Sequence, residues 1–417
     1  MNEGEAVKWK KGRRHEKIIA LLNERCSLTS EGQLSWSTDK NVEVLLDALV
    51  SSIKEPQLSE DFQFKAVKRT LAQGLDGSVS QFERRYSESI LFLEGQSQKY
   101  LCVFRVYDLQ NIASGIHKWE GVTLDFSASV SGRLQKALDE RRPVISTGDL
   151  YERRWTFDSR RCTYVTCVTQ AISASDAYER SYDALSLWLG LANFWLKAGL
   201  VWQFRSGPYV PINEILIVPG STVHYYNGEI AYQGFWYDDW FMPRDSPTRL
   251  TDDKLERLRD KLCDSIVGLR ESKWQDFACR VVREHFHAFS QWNPTDAILR
   301  GWRVLEILAG DEQTPYDTLV RRASRMFRDE EEMFVIANYL KNRRNDLSHS
   351  QGAHAEHDDL AAFQLKLLLL PLVRFVIFNP YNFSDVHEMR QFLDLPSDKQ
   401  KRDRLIYLLE KADKHYS

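Results

Sequence analysis

The chain has 417 residues, of which 43% are hydrophobic and 12% aromatic, and its formal net charge is −3. This length suggests two or three domains with ample material for packed cores, and the charge excludes global attraction to nucleic acid, so any RNA site must be a local basic patch. Six scattered cysteines with no C-x-x-C pair suggest neither a zinc knuckle nor a disulfide scaffold, and point to a reducing, cytoplasmic setting.

The first residues lack the apolar core of a signal peptide, and no uninterrupted apolar run reaches the ~18 residues that span a bilayer. Residues 8–17, K-W-K-K-G-R-R-H-E-K, form a basic arm before a short helix led by Ile18, Ile19, Leu21 and Leu22. Such arms hold phosphate in some proteins, but most are simply solvated. A second helix is expected over 41–53, with Val44, Leu45, Ala48 and Leu49 on one face.

From about residue 60 the period changes. The segments 89–93 and 100–107 are rich in aromatic and β-branched residues and are separated by E-G-Q-S-Q, which predicts a hairpin. Residues 122–130 and 161–172 alternate as strands, and 133–140 reads as a helix between them. The expectation is a mixed, largely antiparallel sheet with a few helices. No phosphate loop, nucleophile elbow or paired-His metal helix occurs in it.

Residues 182–200 form a strongly apolar helix through Leu185, Trp188, Leu189, Ala192, Trp195 and Leu196. An aromatic-dense stretch follows, holding Trp202, Phe204, Tyr209, Tyr225, Tyr226, Tyr232, Phe235, Trp236, Tyr237, Trp240 and Phe241, with Arg205 among them. Single-strand binders stack bases on such rings. Filling a core is the commoner use, and the strand-like 214–218 in their midst favours it here.

P-R-D-S-P at 243–247 marks a boundary between a mixed α+β region, residues 1–245, and a helical region, residues 252–417. The latter opens on a near-heptad stripe of Leu255, Leu258, Leu262, Ile266 and Leu269, continued by Trp274, Phe277, Val281 and Phe286. Asn293-Pro294 reads as an N-cap followed by proline at the first helical position. The helix it opens carries Leu299, Trp302, Leu305 and Leu308 and stops at Gly310. The next helix, 316–327, places Arg321, Arg325 and Arg328 on one face. That face is the best local candidate for binding RNA phosphates, or else a solvated face pairing with Asp329 and Glu330 to Glu332.

Residues 338–352 read N-Y-L-K-N-R-R-N-D-L-S-H-S-Q-G. Met333, Phe334, Ile336, Ala337, Tyr339 and Leu340 lead into them at near-helical spacing, so Arg344 and His349 fall on the last turns of an amphipathic helix. Arg344 reaches Ser348 and Asn345 reaches His349 at four-residue spacing. Arg344 and His349, five apart, diverge by about 140° on a regular helix. They converge on one group only across a broad cleft, at a loosened helix end, or between two copies of the helix. An imidazole exchanges protons near neutral pH, and a guanidinium offers a fixed fork of donors to phosphate. Beyond the motif, His354, His357 and Asp358 match no standard metal spacing, and Glu356, Asp358 and Asp359 suit the first turn of the next helix. That helix, 360–378, is apolar almost all round and must be buried on several sides, with a kink expected at Pro371. One more amphipathic helix, 401–414, ends the sequence.

The Arg344-Asn345-x-x-x-His349 string near a helix end, followed by a long apolar helix, resembles the signature of HEPN domains. The R-G-W-R-V-L-E of 300–306 on an earlier helix is most similar to the Apea-like branch found in prokaryotic phage-defence proteins. The resemblance covers roughly 252–415 and implies an α+β chain whose sheet-bearing N-terminal region precedes an all-α HEPN-like bundle. It further implies a metal-independent endoribonuclease, without cofactor, in which two HEPN domains pair as a homodimer or a higher assembly. Arg344 and His349 would then be catalytic and Asn345 would orient one of them. Arg343 fits the looser spacing, so either arginine is a candidate and Arg343 joins the RNA-binding set. The N-terminal region would sense, bind or restrain, in an antiviral or toxin setting. Two other readings stand beside this one: a non-catalytic dimerisation or partner-docking module, and an RNA-binding regulator.

Overall fold

A computed structural model of the chain describes residues 7–10, 14–29, 34–36, 41–55, 58–74, 77–107, 109, 112–113, 115–126, 130, 134, 162–197, 209–232, 250–311, 313–349 and 358–416. It is an α+β protein, with an antiparallel sheet in the N-terminal half and helices from residue 252 onward. The first unit holds α1 (His15–Arg25), a short ribbon of β1 (Cys26–Leu28) and β2 (Leu34–Trp36), then α2 (Asn41–Ser52), α3 (Glu60–Ala72) and α4 (Val79–Gly95). It encloses its own core of Ile19, Leu22, Leu46, Leu49, Phe62, Val67, Phe82, Tyr86 and Ile90.

α4 corrects one expectation, because 89–93 is helical and not the first strand of a hairpin. Ser78 caps the helix by accepting the Gln81 amide at 3.3 Å, and Phe82, Tyr86 and Ile90 recur every four residues on its buried face. The apolar run was misleading because Leu91 and Phe92 belong to the outer face, 54% and 42% exposed. Within the basic arm, Trp9 bridges to Ile53, Lys10 donates to the Ser51 carbonyl and Trp9 stacks on His15 at 4.1 Å, while Lys8, Arg14 and Lys17 are exposed.

The sheet has the order β4-β5-β6-β3-β7, with every pairing antiparallel. Its strands are β3 (Gln98–Tyr107), β4 (Ile116–Trp119), β5 (Val122–Asp125), β6 (Cys162–Ala171) and β7 (Leu216–Tyr225). Glu120 and Gly121 turn β4 into β5 with φ of 46° and 79°, the positive pair that a tight two-residue hairpin requires. Of the expected helix at 133–140, only residue 134 is among the described residues, and it is helical.

α5 (Ala174–Lys197) lies against one face of the sheet and joins it to the helices α6 (Asp252–Glu271), α7 (Gln275–Phe289), α8 (Pro294–Ala309), α9 (Tyr316–Ser324), α10 (Glu330–His349), α11 (Asp358–Phe378), α12 (Val386–Asp394) and α13 (Lys399–Tyr416). One apolar core runs through both parts, from Cys102, Phe104 and Val165 through Leu185 and Leu189 to Val282, Trp302, Leu305, Leu365 and Leu369. Packing therefore groups the sheet with the C-terminal helices, and the segment 243–247 expected as the boundary lies outside the described residues. A hydrogen-bonded clasp reinforces the junction. Asn213, just ahead of β7, donates to the Phe286 carbonyl and accepts from Lys366 of α11, at 2.8 and 2.7 Å.

Several helix boundaries follow the local chemistry. The Asn293 side chain accepts the Thr295 amide at 2.9 Å with Pro294 next to it, and Gly310 closes α8. α11 is long and apolar enough to cross a membrane, but 72% of its most apolar stretch is buried inside the protein. That burial fits the reading of a helix covered on several sides, with Pro371 within it.

Candidate functional site

α10 is built as the apolar spacing requires. Ala337 and Leu340 are fully buried, with Met333, Ile336 and Leu347 packed beside them. Glu330, Glu331 and Glu332 occupy the first turn, where the helix dipole favours acids. The helix stays regular through His349, so each side chain of the motif leaves in a direction fixed by about 100° per residue.

Arg343 turns toward α11. Its Nε donates to Asp358 Oδ1 at 2.6 Å and its Nη2 to Oδ2 at 2.8 Å. Asp358 is only 2% exposed, and the two-point bond raises the already high Arg343 pKa further. This arginine ties the end of α10 to the start of α11. That is a structural task, and it is the ordinary reading of Asp358 as a first-turn acid carried one step further.

Arg344 turns the other way, toward α8 and α9. Its guanidinium lies 3.7 Å from Glu306 Oε1 and 4.9 Å from the Tyr316 ring centroid, and Nη1 reaches Asn345 Oδ1 at 3.4 Å. Trp302 supports Tyr316 edge-on, with ring centroids 5.7 Å apart. The Arg344 side chain keeps 23% exposure, so the charged fork is braced and still reachable from solvent. Ser348 touches Arg344 only through the backbone, its hydroxyl donating to the Arg344 carbonyl at 2.9 Å. His349 stands on the outer face, exposed. One copy therefore points Arg344 and His349 in different directions, as the five-residue spacing predicts, and places Asn345 against the arginine.

The arginine face of α9 makes contacts within the protein, one of them the pairing with Glu330 that the sequence offered as an alternative. Arg321 and Arg322 both bond Asp394 of α12, at 2.8 and 2.6 Å. Arg325 donates to the carbonyls of Leu393 and Leu395 and lies 3.5 Å from Glu330. Arg321 and Arg325 hold α12 in place, while Arg328 is exposed. A helical wheel cannot reveal this, because Asp394 lies far along the chain.

Of the aromatic stretch, Tyr225, Tyr226 and Tyr232 are 37%, 58% and 43% exposed, which corrects the expectation that they fill the core. Tyr225 stacks on Tyr100 at 5.7 Å, and Lys99 Nζ lies 4.7 Å from the Tyr226 ring centroid. Trp202, Phe204, Arg205, Phe235, Trp236, Tyr237, Trp240 and Phe241 lie outside the described residues, as do His354 and His357. No group of three or more His, Cys, Asp or Glu suited to a metal occurs among the described residues. Sequence reasoning missed Glu306 and Tyr316 as the groups that brace Arg344. Glu306 stood within the R-G-W-R-V-L-E string, but nothing in its spacing announced that contact.

The chain matches no family model, no curated protein and no solved structure.

Proposed function

We propose that the chain is a metal-independent endoribonuclease of the HEPN kind, working as a dimer with Arg344 and His349 as its catalytic pair. The observation that carries this reading is the division of labour on α10. Of two adjacent arginines, Arg343 is committed to the buried Asp358, whereas Arg344 is held with its fork open to solvent at the same helix end as an exposed His349. An oriented guanidinium suits the equatorial oxygens of a phosphorane. An accessible imidazole suits removal of a ribose 2′ proton or protonation of the leaving 5′ oxygen. The products would be a 2′,3′-cyclic phosphate and a 5′-hydroxyl. Because the two side chains diverge within one copy, a working site draws one from each of two copies.

In the test, purified wild type, Arg344→Ala and His349→Ala are incubated with total RNA and tRNA in EDTA and the fragment ends are mapped. Cleavage by the wild type alone, leaving cyclic-phosphate ends, supports the proposal. Full cleavage by either variant removes the assigned residues. The contacts of Arg344 with Glu306 and Tyr316 also suit a purely structural arginine in a non-catalytic docking module. That reading predicts intact RNA in every lane and expression of the wild type that does not slow growth.

A further inference from the structure

Two uncovered stripes stand out on the C-terminal helices. α13 exposes Leu405, Ile406, Leu408 and Leu409 at 39, 56, 47 and 65%, and none of its residues with described side chains is buried. The outer face of α10 exposes Phe334, Val335 and Tyr339 at 41, 65 and 49%. A single amphipathic helix draws most of its stability from covering its apolar side.

The two stripes share one spacing, with Asn338 and Asn342 of α10 falling opposite Leu408 and Ala412 of α13. On α10, Glu331, Val335, Asn338, Tyr339 and Asn342 stand at steps 0, +4, +7, +8 and +11; on α13, Lys401, Leu405, Leu408, Leu409 and Ala412 stand at the same steps. Laid parallel in this register, Val335 and Tyr339 meet Leu405 and Leu409, and Glu331 faces Lys401. The ends complement each other more broadly. α10 opens with Glu330, Glu331 and Glu332, whereas residues 399–404 of α13 hold Lys399, Lys401, Arg402 and Arg404 against one acid, Asp403. Opposite charges at matching ends fix orientation and register between helices.

Among the described residues of one copy nothing covers either stripe, and the complementary charges of the two helices argue for a second copy as the cover. The two helices also start from one corner. Arg325 reaches Glu330 at the head of α10 and the carbonyls of Leu393 and Leu395 just ahead of α13. A two-fold axis beside that corner lets each α13 cross to the other copy and buries both pairs of stripes at once.

We infer that α13 of one copy seats in parallel on the outer face of α10 of a second copy, reciprocally, as an exchanged strap. Tyr416, the last helical residue of α13, falls level with Asp346, so the strap stops one turn before His349 and leaves it open. The inference rests on the helix surfaces and not on the nuclease reading, and its test uses no RNA.

The full-length chain is weighed in solution by light scattering across a dilution series. A wild-type mass of twice 48.7 kDa is expected. Leu409→Asp should weaken association about a hundredfold, since each dimer loses two buried leucines, while leaving the circular dichroism spectrum unchanged. Glu331→Lys and Lys401→Glu should each weaken it by about two- to tenfold, and their combination should restore it. To identify which copy supplies the strap, Val335→Cys chains are mixed with Leu405→Cys chains, both carrying Cys263→Ser, and oxidised. A linked species of twice the mass, formed in the mixture and by neither chain alone, supports exchange. A monomeric wild type, a dimer indifferent to Leu409→Asp, failure of the charge swap to rescue, or linkage only within a single doubly substituted chain would each overturn it.

Discussion

Replacing Arg343 and Arg344 in turn by alanine should give opposite phenotypes, although the two residues are adjacent and chemically identical. Arg343 is 14% exposed, and its partner Asp358 is 2% exposed with both carboxylate oxygens engaged by the guanidinium. Arg343→Ala leaves that carboxylate buried without the opposing charge, and breaking a pair of this kind costs about 3–5 kcal/mol. Against a typical net stability of roughly 5–15 kcal/mol, that is about a fifth or more of the total. Arg344 is more exposed, its nearest acid is 3.7 Å away, and that acid is itself 33% exposed. Arg344→Ala should therefore cost no more than about 1 kcal/mol. Urea unfolding followed by circular dichroism measures both, and the paired change Arg343→Met with Asp358→Leu should recover most of the loss by removing both buried charges together. The expected pattern is a folded, inactive Arg344→Ala and an unstable Arg343→Ala rescued in stability by the pair. The reasoning fails if Arg343→Ala unfolds within 1 kcal/mol of wild type, or if Arg344→Ala is the less stable of the two.

Glycine positions give a second check on the packing: a Cβ on Gly190 would sit 2.9 Å from the Val282 carbonyl oxygen, whereas one on Gly301 would meet mainly the movable end of Leu365. Gly190→Ala should thus lower the unfolding midpoint more than Gly301→Ala, with overpacking costs of about 1–3 kcal/mol. Asn213→Ala removes the acceptor for the buried Lys366 ammonium and the donor to the Phe286 carbonyl, and a loss of about 2–3 kcal/mol is expected in the same unfolding assay. Glu179, which accepts the Glu60 amide where α3 meets α5, has its pKa pushed up to about 7, chiefly by burial. A carboxyl raised in the fold binds a proton that the unfolded chain releases, so its stabilising effect is present at low pH and is lost as pH rises through about 7. Glu179→Gln should therefore gain stability over wild type between pH 6 and 7.5, by on the order of 1 kcal/mol after allowing for partial exposure. Chemical denaturation of both proteins at each pH reads this difference, and it separates Glu179 from His287, whose pKa is lowered to about 4 by burial and whose effect is common to both.

Much of the fold was legible because local chemistry and packing agree. The Asn293-Pro294 start of α8, the stripe from Leu255 to Leu269 and the apolar face of α10 each carry a period that the structure repeats. α4 was misread because four apolar residues in a row, Ile90 to Leu93, satisfy a strand pattern over a window too short to show the four-residue recurrence of Phe82, Tyr86 and Ile90. The arginines of α9 show a different limit. Their common face was correctly drawn, but what lies across it, Asp394 and the carbonyls around it, is set by tertiary packing.

The candidate site combines both kinds of information. Helical geometry alone fixes that residues 343, 344 and 349 leave α10 in three directions. Only the packed structure says what each direction meets: the buried Asp358 for Arg343, the Glu306–Tyr316 brace for Arg344, and open solvent for His349. A site made of one copy would need these directions to bend together, and the regular helix forbids it. On the proposed reading, a second copy would bring another Arg344 and another His349 without bending anything. The exchanged α13 strap would hold a second copy against the Val335–Tyr339 face, on the side of α10 away from Arg344, while stopping short of the histidine. The proposed catalysis and the proposed association would then be separable on the same helix, through variants at its last turns and variants along its outer stripe.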